Sequence, residues 1–238
     1  MNGRIVRPDQ HEMLELPEIG RLKIGKKVKS ERGTEYPTSV DYFIPTGKYA
    51  GLFTKALGEK PQTIAIVFPS DEPAIVCNER FEYRNDKGEL VARGDGRIFE
   101  VWNGHLYAPY SVVDYPDIME KIAHRYPTKR ADNWDETLTL QFIVPAVRGV
   151  VGLWKFTTKG KASSIRNIRE SFDAVQLMRG TVCKTVFDLS VQFAKSNKPD
   201  TNSKYPIVSL VANDNRVAEI RQMLQANDST GNLLITAE

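Results

Sequence analysis

The stretch CKTVFDLSVQF, residues 183–193, alternates so regularly that only extended chain accommodates it. A side-chain period of two puts Cys183, Thr185, Phe187, Leu189, Val191 and Phe193 on one face. Lys184, Asp188, Ser190 and Gln192 fall on the other. TLTLQFIVPA (137–146) repeats the pattern, with Leu138, Leu140, Phe142 and Val144 against Thr137, Thr139 and Gln141. The short link AVRG joins it to a second strand, GVVGLWKFTT (149–158). QTIAIVF (62–68) and SVDYFIPTG (39–47) are further strand runs stopped by proline or glycine, and YPIVSLVA (205–212) makes a last strand. AIVCNERFEYR leads through the turn NDKG into ELVARGDG as a hairpin. RIFEVW and HLYAPY flank Asn103-Gly104, which predicts a second hairpin with a type I′ turn, whose two central residues need positive φ.

Helical signals are fewer. YAGLFTKALGEKP (49–61) predicts a short helix or turn, and VDYPDIMEKIAHRYP (113–127) a short helix with Ile118 and Ile122 on one face. In SSIRNIRESFDAVQLMRG (163–180), Ile165, Ile168, Phe172 and Val175 form an apolar stripe, Ser163 or Ser164 is the expected N-cap, and Gly180 the expected terminator. DNRVAEIRQMLQA (214–226) predicts a last helix on Val217, Ile220 and Leu224. The loop between 194 and 204 is long, polar and broken by proline. The expected fold class is therefore α+β and β-rich, with antiparallel meanders and hairpins and a few packed helices. Residues 1–18 read as an arm, 19–112 as a β-rich half, 113–136 as a connecting helix and loop, and 137–238 as a strand-strand-helix-strand-strand-helix half. The two halves are also compatible with one continuous domain.

Composition narrows function mainly by exclusion. The chain is 41% hydrophobic and 26% charged, as ordinary globular proteins are, and its net charge of +3 is too mild to name a partner class. Two distant cysteines, Cys77 and Cys183, imply reduced thiols and not a disulfide framework. No run approaches the roughly 20 apolar residues of a membrane span, and MNGRIVRPDQHEM lacks the apolar core of a signal peptide. A cytoplasmic protein is expected. Three histidines and two cysteines never reach metal-ligand spacing, so neither a metal nor another cofactor is implied. No GxSxG, Walker A or GxGxxG stands in the chain, and RGDG at 93–96 reads as a turn. Acids such as Glu79, Glu82, Asp95, Asp132, Asp135 and Glu136 could serve a metal-dependent nuclease. Alternation places Glu79 and Glu82 on opposite faces, however, and the expectation is no enzyme.

Two cationic runs carry what functional signal there is. The first holds Arg21, Lys23, Lys26, Lys27 and Lys29, and in it Leu22, Ile24 and Val28 alternate with Lys23, Lys27 and Lys29, as on an edge strand whose lysines discourage further pairing. The same residues could contact phosphate or a protein partner. The second run, Arg148, Lys155, Lys159, Lys161, Arg166 and Arg169, meets no acid until Glu170. Trp154 and Phe156 could stack bases, the Lys159-Gly160-Lys161 turn could neutralise phosphate, and Ser163 and Ser164 at a helix N-terminus could offer amides to an anion. Against this, Trp154 and Phe156 lie two apart, hence on one face, and that face reads more naturally as core. The 154–172 segment is thus expected to be a strand, a basic turn and a capped helix whose exposed cations contact nucleic acid or a partner.

LPEIGRLKIGKK (16–27), YPTSVDYFIPTG (36–47), the hairpin VCNERFEYR to GELVARGDG (76–96), WDETLTLQFIVP (134–145), GLWKFTTKGKASSIRNI (152–168) and FDLSVQFAKS (187–196) together resemble the phage and prophage family of recombination directionality factor-like proteins. The similarity spans about 16–212 and lies in motif order, not in a catalytic signature. It implies a non-enzymatic regulator that binds a large serine integrase on its attachment sites and shifts the coiled-coil subdomain, so that hybrid sites recombine. DNA would then be engaged directly or through the integrase, in the host cytosol. The alternative class is a single-stranded DNA-binding or annealing protein of phage replication or recombination.

Overall fold

A computed structural model describes residues 16–31, 33–129, 134–195 and 203–216, and of Ala162 only the backbone. The expected arm lies outside these residues up to position 15, as do most of the 194–204 loop and the 214–226 helix beyond Arg216.

Among the described residues, eleven strands form two sheets. In chain order they are β1 (Glu18–Lys29), β2 (Glu35–Thr46), β3 (Thr63–Val67), β4 (Cys77–Arg84), β5 (Leu90–Gly94), β6 (Ile98–Trp102), β7 (Tyr107–Ser111), β8 (Trp134–Phe142), β9 (Leu153–Thr158), β10 (Val186–Lys195) and β11 (Lys204–Ala212). The larger sheet runs β2-β1-β9-β8-β4-β5-β6-β7 and the smaller β11-β10-β3. Every pairing is antiparallel except β1 with β9. The helices are α1 (Ala50–Leu57), α2 (Pro73–Val76), α3 (Ile118–Arg125) and α4 (Arg166–Arg179). The chain is thus β-rich α+β, as its periodicities require.

The alternating runs become strands because each offers one apolar face to a common interior. Phe187, Leu189 and Val191 of β10, Val208 and Leu210 of β11, and Leu138, Leu140 and Phe142 of β8 share a core with Trp154 and Phe156 of β9. α4 lays Ile168, Phe172 and Val175 onto it, and the Phe172 ring stands 5.3 Å from that of Phe68. Gly180 ends the helix in the left-handed conformation, φ 71°, as expected. A second core lies between β4–β7 and α3, built on Tyr83, Val91, Phe99, Val101, Ile118 and Ile122. Trp134 closes it, 5.2 Å from both the Tyr83 and Phe99 rings. Most pairings join consecutive strands, and three bring together strands distant in sequence, β1 beside β9, β4 beside β8 and β3 beside β10.

Several local expectations are corrected. Residues 183–185 are not strand. β10 begins at Val186, the Val182 and Cys183 amides donate to the Asp71 carboxylate, and the Thr185 amide donates to the Val182 carbonyl, so this stretch is a turn and not a ladder. Phe193 is 39% exposed, because the core has ended by that position. The β6–β7 hairpin exists, but Trp102 pairs with Tyr107, giving a four-residue loop instead of a two-residue turn. There the Asn103 side chain accepts from the amides of His105 and Leu106, the Asx geometry that stabilises a longer turn. β1 is not an edge over its first half, since β9 covers it as far as Leu22.

A candidate interaction surface on the larger sheet

β1 and β9 run parallel, with Arg21 opposite Lys155 and Leu22 opposite Phe156. Alternation turns Leu22, Trp154 and Phe156 inward and Arg21, Lys23, Lys155 and Thr157 outward. The close approach depends on Gly20. A Cβ there would collide with the Trp154 ring and lie 2.9 Å from the Thr46 carbonyl oxygen. An open groove of about 270 Å³ runs here, lined by Arg21, Lys23 and Lys155 together with Leu22, Ile24 and Thr157. One carboxylate organises it. Glu18 accepts from Arg21 Nε at 2.5 Å and pairs with Lys155 Nζ at 2.9 Å. The Arg21 hydrogen bond, aided by Lys155, holds the Glu18 carboxyl below its ordinary range despite some burial.

The rest of the second basic run is distributed differently from what a linear reading predicts. Lys159 pairs with Asp135 at 2.6 Å, Lys161 with Glu136, Arg169 with Glu79 at 3.3 Å and Arg166 with Glu170 at 2.8 Å. Three of those acids arrive from β4 and β8, so the cations absent of acidic neighbours in sequence are neutralised across strands. Arg148 sits exposed in the link between β8 and β9. Lys26 and Lys27 lie farther along β1, both exposed, with Lys27 3.5 Å from Glu35.

Two of the expected contributions are corrected. Trp154 is 1% exposed and Phe156 fully buried, with the Trp154 ring 4.9 Å from Phe53. Neither ring is open to a base, and the core reading of that face holds. Ser163 and Ser164 do not cap a helix. Lys161–Ile165 forms a single wider π turn before α4, and no side chain caps either element. The Ser163 and Ile165 amides both donate to the Gly160 carbonyl, which removes them as anion ligands. Ser164, buried, accepts the Val208 amide at 3.0 Å and ties this turn to β11. An Ile165–Phe172 stripe fits helix and π turn alike, so nothing in the sequence separates them.

Other acids also have partners. Glu82, 4% exposed, sits between Arg80 and Arg84 at 2.9 Å each, while Glu79 faces α4 from the opposite side of β4. Among the described residues no three His, Cys, Asp or Glu side chains are grouped to hold a metal. No helix among them is long and apolar enough to cross a membrane. Arg80 and Arg84 flank Glu82 two positions away on its own strand and Arg21 follows Glu18 by three, so these pairs are local, and only Lys155 is brought to Glu18 by strand pairing.

The Gp3-like family, described as recombination directionality factor-like, matches residues 19–213. No curated protein and no solved structure matches the chain. The match runs from the second residue of β1 past the end of β11, covering both sheets, both cores and the cation-lined groove. The chain belongs to the Gp3-like, recombination directionality factor-like family.

Proposed function

We propose that this protein is a non-enzymatic accessory factor of phage or prophage DNA recombination, which binds a large serine integrase and redirects it toward excision. The observation that carries the reading is the extent of the family match, which takes in the whole described fold and not one motif within it. The surface is compatible with a binding role. Lys155, Lys159 and Lys161 are held in ion pairs between elements, and the β1–β9 groove, lined by Arg21, Lys23 and Lys155, is open and suited to an Asp or Glu side chain of a partner. Mechanistically, such a factor acts by binding one state of the integrase–DNA complex more tightly than another, so that its binding energy shifts the balance between them.

The observations behind a single-stranded DNA reading are weakened, since Trp154 and Phe156 are buried, Lys159 and Lys161 are paired with acids, and the Ser163 amide donates to the Gly160 carbonyl. The deciding experiment is recombination in vitro with a large serine integrase encoded beside this chain. Excision between hybrid sites should require the protein, and recombination between the original sites should fall when it is added. If neither reaction responds and the two proteins do not co-elute, the reading is wrong.

A further inference from the structure

The distal half of the β1–β2 hairpin is set apart from the sheet that carries it. β9 pairs with β1 only as far as Leu22, so one edge of β1 is open from Lys23 onward among the described residues. Opposite Ile24, β2 steps through Val40 to Phe43 before pairing resumes at Gly25 and Ser39. Beyond that step the two strands form a ribbon, Gly25–Lys29 against Glu35–Ser39, about 17 Å long at strand rise. Lys26, Lys27, Lys29, Glu35, Tyr36 and Pro37 are all exposed on it.

Its charge is asymmetric and two-sided. By alternation Lys26 shares a face with Val28, and Lys27 and Lys29 take the other. Lys26 and Lys29 make no ion pair among the described residues, and the Lys27–Glu35 contact at 3.5 Å joins side chains 79% and 48% exposed. Such a pair contributes little and exchanges readily for another anion. A flat acidic surface would meet one face of this ribbon and leave the other cations in water. A groove with negative charge on both walls meets both faces, and the major groove of B-DNA, about 12 Å wide, admits a two-stranded ribbon.

We propose that this ribbon is a duplex-DNA arm, which lies in a groove and sets its lysines against phosphates on either side. The inference rests on the reading of the chain as a recombination protein and gives it a direct DNA contact. Fluorescence anisotropy of the purified full chain tests it, with a labelled mixed-sequence duplex of about 25 base pairs and the matching single strand. Binding to the duplex should weaken steeply with salt. In Lys26→Ala/Lys27→Ala/Lys29→Ala the affinity should fall at least about tenfold. The log–log salt slope should flatten by about two to three, because each phosphate that a lysine neutralises contributes about 0.9 to it. Lys159→Ala/Lys161→Ala, whose cations are already paired, should change neither by more than about twofold. The arm is overturned by no duplex binding at low salt, by an unaffected triple variant, or by preference for the single strand. Should the triple variant lose integrase co-elution and keep its DNA affinity, the ribbon is a protein contact and the proposal falls. If duplex binding is absent while the wild-type chain still redirects the integrase, the arm falls and the functional reading stands.

Discussion

Asp71 and Gly20 show how single residues hold distant parts of this chain in place. The Asp71 carboxylate accepts from the Val182 amide at 2.6 Å, the Cys183 amide at 3.0 Å and the Thr181 hydroxyl at 2.9 Å. Burial opposes its ionisation, but those donors more than offset it and hold the group at about 2. A carboxyl depressed in the folded state stabilises above its ordinary value near 3.8 and loses that contribution as pH falls toward 2. Asp71→Ala should therefore cost about 1–2 kcal/mol at pH 7, and the deficit should shrink below pH ~4. Denaturant unfolding at pH 7 and near pH 2.5 reads this directly, and equal deficits at both would refute it. The same variant should speed the labelling of Cys183, whose thiol burial and the neighbouring Asp71 push up to about 11. Gly20→Ala drives a methyl into Trp154 and the Thr46 carbonyl, so a loss of about 1–3 kcal/mol is expected in thermal or denaturant melts.

At the scale of elements, the π turn before α4 is where local pattern and structure part. Ser164 satisfies the buried Val208 amide instead of capping its own helix. Ser164→Ala strands that donor and should cost about 1–3 kcal/mol, whereas Ser163→Ala should be close to neutral. A comparable loss in both variants, measured by chemical denaturation, would mean that Ser164 is not the tie between α4 and β11. The β10 strand was readable from Phe187 to Val191 because its core face is continuous. Its expected start at Cys183 was not realised, since a carboxylate more than 100 residues away captures those amides. Lysines on β1 were legible as edge protection, yet only the end of the β1–β9 pairing at Leu22 determines which of them lie on an open edge.

Across the whole molecule, two cores are joined by strands that serve both. Cys77 of β4 and Leu138, Leu140 and Phe142 of β8 belong to the first, while Tyr83 of β4 and Trp134 of β8 complete the second. Ile122→Ala, a truncation inside the second core, should cost about 2–4 kcal/mol. Amide exchange should quicken most in β5–β7 and least in β10 and β11; uniform acceleration would show that the two cores open as one unit. The sequence by itself determined the β-rich class, most strands, the α3 and α4 faces and the Gly180 stop. Each of these follows from periodicity or turn chemistry within a few neighbouring residues. Only the tertiary structure decided that Trp154 is interior, that Lys159, Lys161 and Arg169 are neutralised, and that Glu18 links Arg21 to Lys155. Charge acts through space rather than along the chain, so Glu79 meets Arg169 across 90 positions of sequence, and no local pattern records that meeting.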